Sequence, residues 1–160
     1  MKKAFSLFVV FAFAMVCLLF PAGAQAAMPQ IQADRQYFDV AKGIYVLSNN
    51  VVIVHKNRRV TAGEAKTNLV EVWAGGGITF QQDDLQMNGS SLYANFPRGI
   101  IQVLGGVEFC RDGLSIYADH AEFNWKTKLA VFAGDVRVQQ GGSVTTHNTI
   151  TYHVVRNEFL

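Results

Sequence analysis

Cysteine is nearly absent. Of Cys17 and Cys110, the first lies in an N-terminal apolar run expected to be removed, so a single thiol remains and no intramolecular disulfide can form. The fold must then hold by burial and strand pairing. Cys110 alternates with Phe109 beside Arg111-Asp112-Gly113 and reads as a passive strand residue. Proline is scarce too: from Ile31 onward only Pro97 interrupts the chain, in a polar corner. From Ile31 to Leu160 no long segment carries an apolar stripe of 3.6-residue period, which leaves little room for helix. Charge of one sign is also missing. The 14 Lys and Arg face 12 Asp and Glu, and removal of Lys2 and Lys3 would balance them. Without a basic excess to displace counterions, nucleic acid is excluded as an expected partner.

Catalytic signatures are equally sparse. There is no G-x-S-x-G elbow, H-E-x-x-H pair or P-loop, and Gly75-Gly76-Gly77 lacks the lysine and helix with which a glycine loop cradles phosphate. His55, His120, His147 and His153 show no metal-ligand spacing. Asp119-His120 and Ser90-Ser91 do not make a hydrolytic set, since strand neighbours face opposite ways and nothing supplies an oxyanion site. The sequence predicts a protein that is not an enzyme.

What is present begins with an export signal. Lys2 and Lys3 precede the apolar run Ala4 to Phe20, and Pro21 to Ala27 is a small-residue segment with Ala24-Gln25-Ala26 as an A-x-A cleavage site. The expectation is a signal peptide over residues 1–26 and one domain over residues 27–160, of about 134 residues, enough for a modest core. Retention of the run as a membrane anchor is the alternative, because about 17 apolar residues is the short limit of a bilayer span.

The domain reads as a degenerate repeat. Ala33-Asp34, Ala62-Gly63-Glu64, Asn88-Gly89, Ala118-Asp119 and Thr146-His147 open successive units at intervals of about 26 to 30 residues. A closing phrase keeps step with them: Asn50-Val51, Gly77-Ile78, Gly106-Val107 and Asp135-Val136, each a turn residue before an aliphatic one. Leu114 to Gln140 shows the unit best. Apolar Leu114, Ile116 and Ala118 alternate with Ser115, Tyr117 and Asp119, which is strand periodicity. Gly134-Asp135 is read as the turn that leads into Val136-Arg137-Val138. Turn signals throughout, among them Asn49-Asn50, Lys56-Asn57, Asp83-Asp84, Gly105-Gly106, Asp112-Gly113 and Gly141-Gly142, point to many short antiparallel strands. A unit of this size cannot bury its own apolar face, so copies must stack around a shared interior. The predicted class is all-β, stacked hairpins in a jellyroll or half-open sandwich.

Alternation puts Val51 and Ile53, Val60 and Ala62, Val70 and Val72, Ile78 and Phe80, Val107 and Phe109, Ile116, and Val136 and Val138 on one inner side. Met87, Phe96, Phe123 and Phe132 add bulky, adaptable side chains along the array. An apolar trough between two sheets would accommodate acyl chains; the same side chains would equally make a filled core. Lys56, Arg58 and Arg59 form the one basic cluster, at a hairpin corner, where they could meet an anionic head group or simply be solvated. The last segment, Thr149 to Val155, has strong β propensity and little charge. It either pairs internally or offers an edge to which strands add head to tail.

The phrases Ile31-Gln32-Ala33-Asp34 with Tyr37-Phe38-Asp39, and Ile116-Tyr117-Ala118-Asp119 with Phe123-Asn124 and Ala133-Gly134-Asp135-Val136-Arg137-Val138, resemble the OstA-like family. That family holds periplasmic lipopolysaccharide-transport proteins of the LptA type and the N-terminal domain of organic solvent tolerance proteins. The resemblance runs from about Gln30 to Tyr152. It implies a twisted, half-open β-jellyroll whose interior shields the acyl chains of lipopolysaccharide or a related glycolipid. It also implies no cofactor, no catalytic residues, and protomers joined edge to edge between inner- and outer-membrane components of a transport bridge. The second and third units depart from the pattern, having Ala62-Gly63 and Asn88-Gly89 in place of the Ala-Asp pair.

Overall fold

The computed structural model describes residues 30–160; the signal expected over residues 1–26 lies outside the described residues. Among the described residues there is no helix. Thirteen antiparallel strands form one connected sheet: β1 (Gln30–Gln32), β2 (Arg35–Asp39), β3 (Ile44–His55), β4 (Arg58–Thr67), β5 (Glu71–Gly75), β6 (Ile78–Gln82), β7 (Leu85–Gly89), β8 (Ser91–Asn95), β9 (Ile100–Arg111), β10 (Leu114–Asn124), β11 (Leu129–Gln140), β12 (Ser143–His153) and β13 (Glu158–Phe159).

The repeat is real, but its closing phrase does not make hairpin turns. β3, β9 and β11 are each 12 residues long, and each carries at mid-strand a residue pair in the left-handed region: Asn49-Asn50 (φ 61° and 51°), Gly105-Gly106 (81° and 77°) and Gly134-Asp135 (80° and 45°). Gly76-Gly77 (77° and 86°) stands in the same place between β5 and β6. Glycine, asparagine and aspartate are the residues that reach this region at least cost. The chain bends there and continues in the same sense, and the ladder registers slip by an extra residue at the bend. The reading of Gly134-Asp135 as a turn is thereby corrected.

The opening phrases lie beside these bends on the neighbouring strands. Asp34 donates its N–H to the Asn49 carbonyl (3.0 Å) and accepts from Asn50 Nδ2 (2.8 Å). Gly63 meets Gly76, Ser90 gives its hydroxyl to the Gly105 carbonyl (2.6 Å), and Asp119 lies against Gly134. The bends therefore align into one seam that crosses the whole array and folds it into two walls. Wall one holds β1, β6, β7, the C-terminal halves of β3, β9 and β11, and the N-terminal halves of β4, β10 and β12; wall two holds the complementary halves with β2, β5, β8 and β13.

The core lies between the walls. Val51, Ile78, Phe80, Met87, Val107, Phe109, Ile116 and Val136 come from wall one; Leu47, Val72, Leu92, Val103, Phe123, Phe132 and Tyr152 come from wall two, and all are buried. The cross-strand register makes this inevitable: Ile53 opposes Val60, Val60 opposes Phe80, and Phe80 opposes Met87, so one apolar row runs across four strands. Val70 departs from the inner set expected for it. It sits in the bend before β5 and is 47% exposed, because the strand alternation that would turn it inward begins only at Glu71. Thr67, the one buried polar side chain among the described residues, is satisfied by donating its hydroxyl to the Glu71 carbonyl (2.7 Å) and accepting from the Leu69 N–H (2.9 Å).

Candidate functional site: the mouth between the walls

Opposite the seam, the true hairpin turns of the two walls form two lips. On wall one these are the β3–β4 turn with Lys56, the β6–β7 turn with Asp83-Asp84 and the β9–β10 turn with Asp112-Gly113; on wall two they are the turns that carry Phe96, Trp125 and Val154. The mouth is not uniform along its length.

Over β3 to β9 it opens on a cavity of about 380 Å³. Ile53, Val60 and Phe80 line it from wall one, and Val72, Leu92, Ala94 and Ile101 from wall two. His55, Lys56, Arg58, Phe96, Trp125 and Lys128 form the rim. The volume is near the low end of the roughly 300–1,000 Å³ typical of small-molecule sites. The rim is cationic: among the described residues Lys56, Arg58 and Lys128 have no carboxylate within ion-pairing distance.

Arg58 is positioned by strand alternation, two residues before inward Val60. Its guanidinium lies 5.4 Å from the Trp125 ring centre, and its Nε donates to Gln82 Oε1 (2.9 Å). Burial pulls the Arg58 value below its ordinary one, opposed by the charge of Asp83. Arg59 points the other way. It pairs with Val54 and Gln81 on the outer face and is exposed, so the basic corner divides: Lys56 and Arg58 reach the cavity, whereas Arg59 does not.

Farther along, the interior is solid. Phe109 on β9 packs edge-on against Phe132 on β11 (5.3 Å between ring centres) and Tyr152 on β12 (5.6 Å), and Phe109 and Phe132 are fully buried. These rings meet from opposite walls and plug the trough. Val51, Ile78, Met87, Val107, Ile116, Phe123 and Val136 are likewise packed in the core and do not line the cavity. Val138 lines a second opening of about 410 Å³ beyond the plug, with Thr145, His147, Thr149, Ile150, Thr151, Phe159 and Leu160. Of the inner residues expected from the sequence, Ile53, Val60, Val72, Phe80 and Phe96 are brought together at the cavity. Sequence reasoning missed Leu92, Ala94, Ile101, Trp125 and Lys128. The alternation in Ser91–Asn95 marks the first two, but nothing local tells that the corner Asn124 to Lys128 turns its tryptophan toward a lip formed about seventy residues earlier.

Over the plug the mouth is tied shut by polar contacts. Arg111 donates Nε to Asp84 Oδ2 (2.8 Å) and an Nη1 proton to the Val154 carbonyl on the opposite lip. The Arg111 hydrogen bond holds the Asp84 carboxyl below its ordinary range, against the opposing effect of burial. A carboxyl depressed on folding stabilises above its unfolded value, and that contribution is lost as pH falls through the lower folded value. The melting-temperature difference between the protein and an Arg111→Met variant is therefore expected to be largest near neutral pH. It should shrink as Asp84 protonates, which thermal melts across an acid series would read.

No family model matches this sequence, and no curated protein matches it. Among solved structures it is similar to LptH from Pseudomonas aeruginosa, described as the LptA-homologous periplasmic component of the conserved lipopolysaccharide transport device. The match has a TM-score of 0.55 at 13% sequence identity and covers 73% of this chain and 80% of that one. The chain has the LptA-type all-β jellyroll fold.

Proposed function

We propose that this chain is a non-enzymatic periplasmic lipid-binding protein that carries lipopolysaccharide, or a related glycolipid, from the inner to the outer membrane. The observation that carries this reading is the pairing of an apolar cavity with Lys56, Arg58 and Lys128, cations left without carboxylate partners at its mouth. That combination suits an amphiphile with an anionic head. Each methylene sheltered from water contributes about 0.8 kcal/mol, so a chain is held by sum rather than by one indispensable contact. At about 380 Å³ the cavity is small for a lipid with several acyl chains, which requires the walls to part. The fold likeness to a lipopolysaccharide-transport component supports the same substrate class. On this reading the partners are the inner- and outer-membrane components of the transport bridge, with further copies of the chain added head to tail. β1 and the first half of β12 lack a second neighbour among the described residues, which leaves edges for that addition.

A photoreactive benzoylphenylalanine at Val60 or Phe96, inside the mouth, is expected to label lipopolysaccharide. The same group at Val131, on the outer face, is not. Equal labelling at all three positions, or none at the first two, overturns the carrier reading. The second outcome would favour an assembly module that joins envelope proteins through sheet edges, for which the aromatic plug is the supporting observation.

A further inference from the structure

Each lip is tied across its own turns by hydrogen bonds. On wall one, Asn57 Nδ2 donates to both Asp83 carboxylate oxygens (3.0 and 2.9 Å), which ties the β3–β4 turn to the β6–β7 turn. On wall two, Lys126 Nζ donates to the Pro97 carbonyl (2.5 Å) and the Trp125 N–H to the Gly99 carbonyl (2.9 Å), which ties the turn after β8 to the turn after β10. Between the lips the contacts differ sharply along the mouth. At the plug the crossing is Arg111 to the Val154 carbonyl, a charge-assisted hydrogen bond. Over the cavity the aromatic and cation contacts that cross are Arg58 above Trp125 and the edge of His55 against Phe96, 6.1 Å between ring centres. Neither is a hydrogen bond.

We infer that Arg58 and Trp125 form a latch that an anionic head group releases, so that entry to the cavity is selective for anionic amphiphiles. This rests on the carrier reading and assigns it a gate. A cation–π contact at a partly exposed site is worth roughly 0.5–1 kcal/mol. A phosphate offers the same guanidinium a charge-assisted, two-pronged pairing that is stronger, and among the described residues no carboxylate lies within ion-pairing distance of it. Once Arg58 turns to the head group, the His55–Phe96 edge contact is the one of these two crossings that the lips over the cavity keep, while the Arg111 tie holds the far end. The walls part at the cavity end about the seam. A neutral amphiphile with the same chain has nothing to exchange for the Trp125 contact. It binds the differential only weakly, and a ligand shifts a conformational equilibrium by no more than its differential affinity for the two states.

Spin labels at Arg59→Cys and Thr127→Cys, exposed positions on opposite lips, in a Cys110→Ser background, report the width of the mouth by double electron–electron resonance. Titration calorimetry on the same protein reports binding. Decyl phosphate is expected to bind and to lengthen the interlabel distance by several ångströms; decanol is expected to bind more weakly and leave it unchanged. Arg58→Gln should lengthen the distance with no ligand present. Binding of decyl phosphate without lengthening overturns the latch and leaves the carrier reading standing. An unchanged distance in Arg58→Gln, or equal effects of decanol and decyl phosphate, also overturns the latch. Binding of neither probe overturns both.

Discussion

Replacing Phe109 with alanine is expected to lower unfolding stability by about 3–5 kcal/mol, the range for deleting a buried aromatic side chain. The ring is fully buried and meets Phe132 and Tyr152 at 5.3 and 5.6 Å, so its loss removes apolar burial from both walls together with two edge-on aromatic contacts. The surroundings cannot collapse to fill the space, because β9 is fixed on both flanks, by β10 and by β7 and β8. Denaturant unfolding would measure the change. The variant also separates two accounts of the interior. If the plug is structural only, decyl phosphate should bind the destabilised but folded protein as before, since Phe109 does not line the cavity. If the cavity extends through the plug when the walls part, the variant should take up more chain and bind longer alkyl phosphates more tightly. A fall of less than about 1 kcal/mol, typical of sites that repack freely, would show that the aromatic cluster does not hold the walls together.

The walls themselves were legible from alternation. Val51-Ile53, Ile78-Phe80, Val107-Phe109, Ile116 and Val136-Val138 point inward as period-two reasoning requires, and Val70 fails only because it precedes its strand. The four closing phrases were legible as a recurring element but not as its kind. A glycine or asparagine pair followed by an aliphatic residue has the composition of a hairpin turn and of a mid-strand bend alike. What decides between them is whether the next strand pairs back on the previous one, and that is a long-range fact. In β11, Val136 continues to pair with β12 across the bend. The cavity was less legible still. Strand alternation identifies inward residues but not which inward residues find a partner opposite. Phe109 and Phe80 share the same pattern, yet one fills the trough and the other lines an opening. The rim depends on side chains from turns far apart in sequence, so Arg58 is legible as part of a charge cluster and its partner Trp125 is not.

The seam yields the second large effect, and it can be isolated. Gly134 and Gly142 have nearly the same φ, 80° and 81°, in the left-handed region where alanine at either incurs strain of about 1–2 kcal/mol. Their surroundings differ. A Cβ at Gly142 meets nothing within 4 Å, whereas one at Gly134 would stand 2.7 Å from the Asp119 Cβ and 2.3 Å from its Oδ2. Gly134→Ala is therefore expected to destabilise well beyond Gly142→Ala, by an excess of about 1–3 kcal/mol as the overpacked seam displaces β10 from β11. Chemical denaturation of both variants would give the difference directly. Asp119→Gly should then recover most of the excess in Gly134→Ala and none of the loss in Gly142→Ala, because it removes the Cβ that the new methyl strikes. Equal losses at the two glycines would mean that the seam yields freely at this point. Two walls that part at one end of the mouth while held at the other need a fold line that resists displacement here, so the same measurement bears on how the cavity opens.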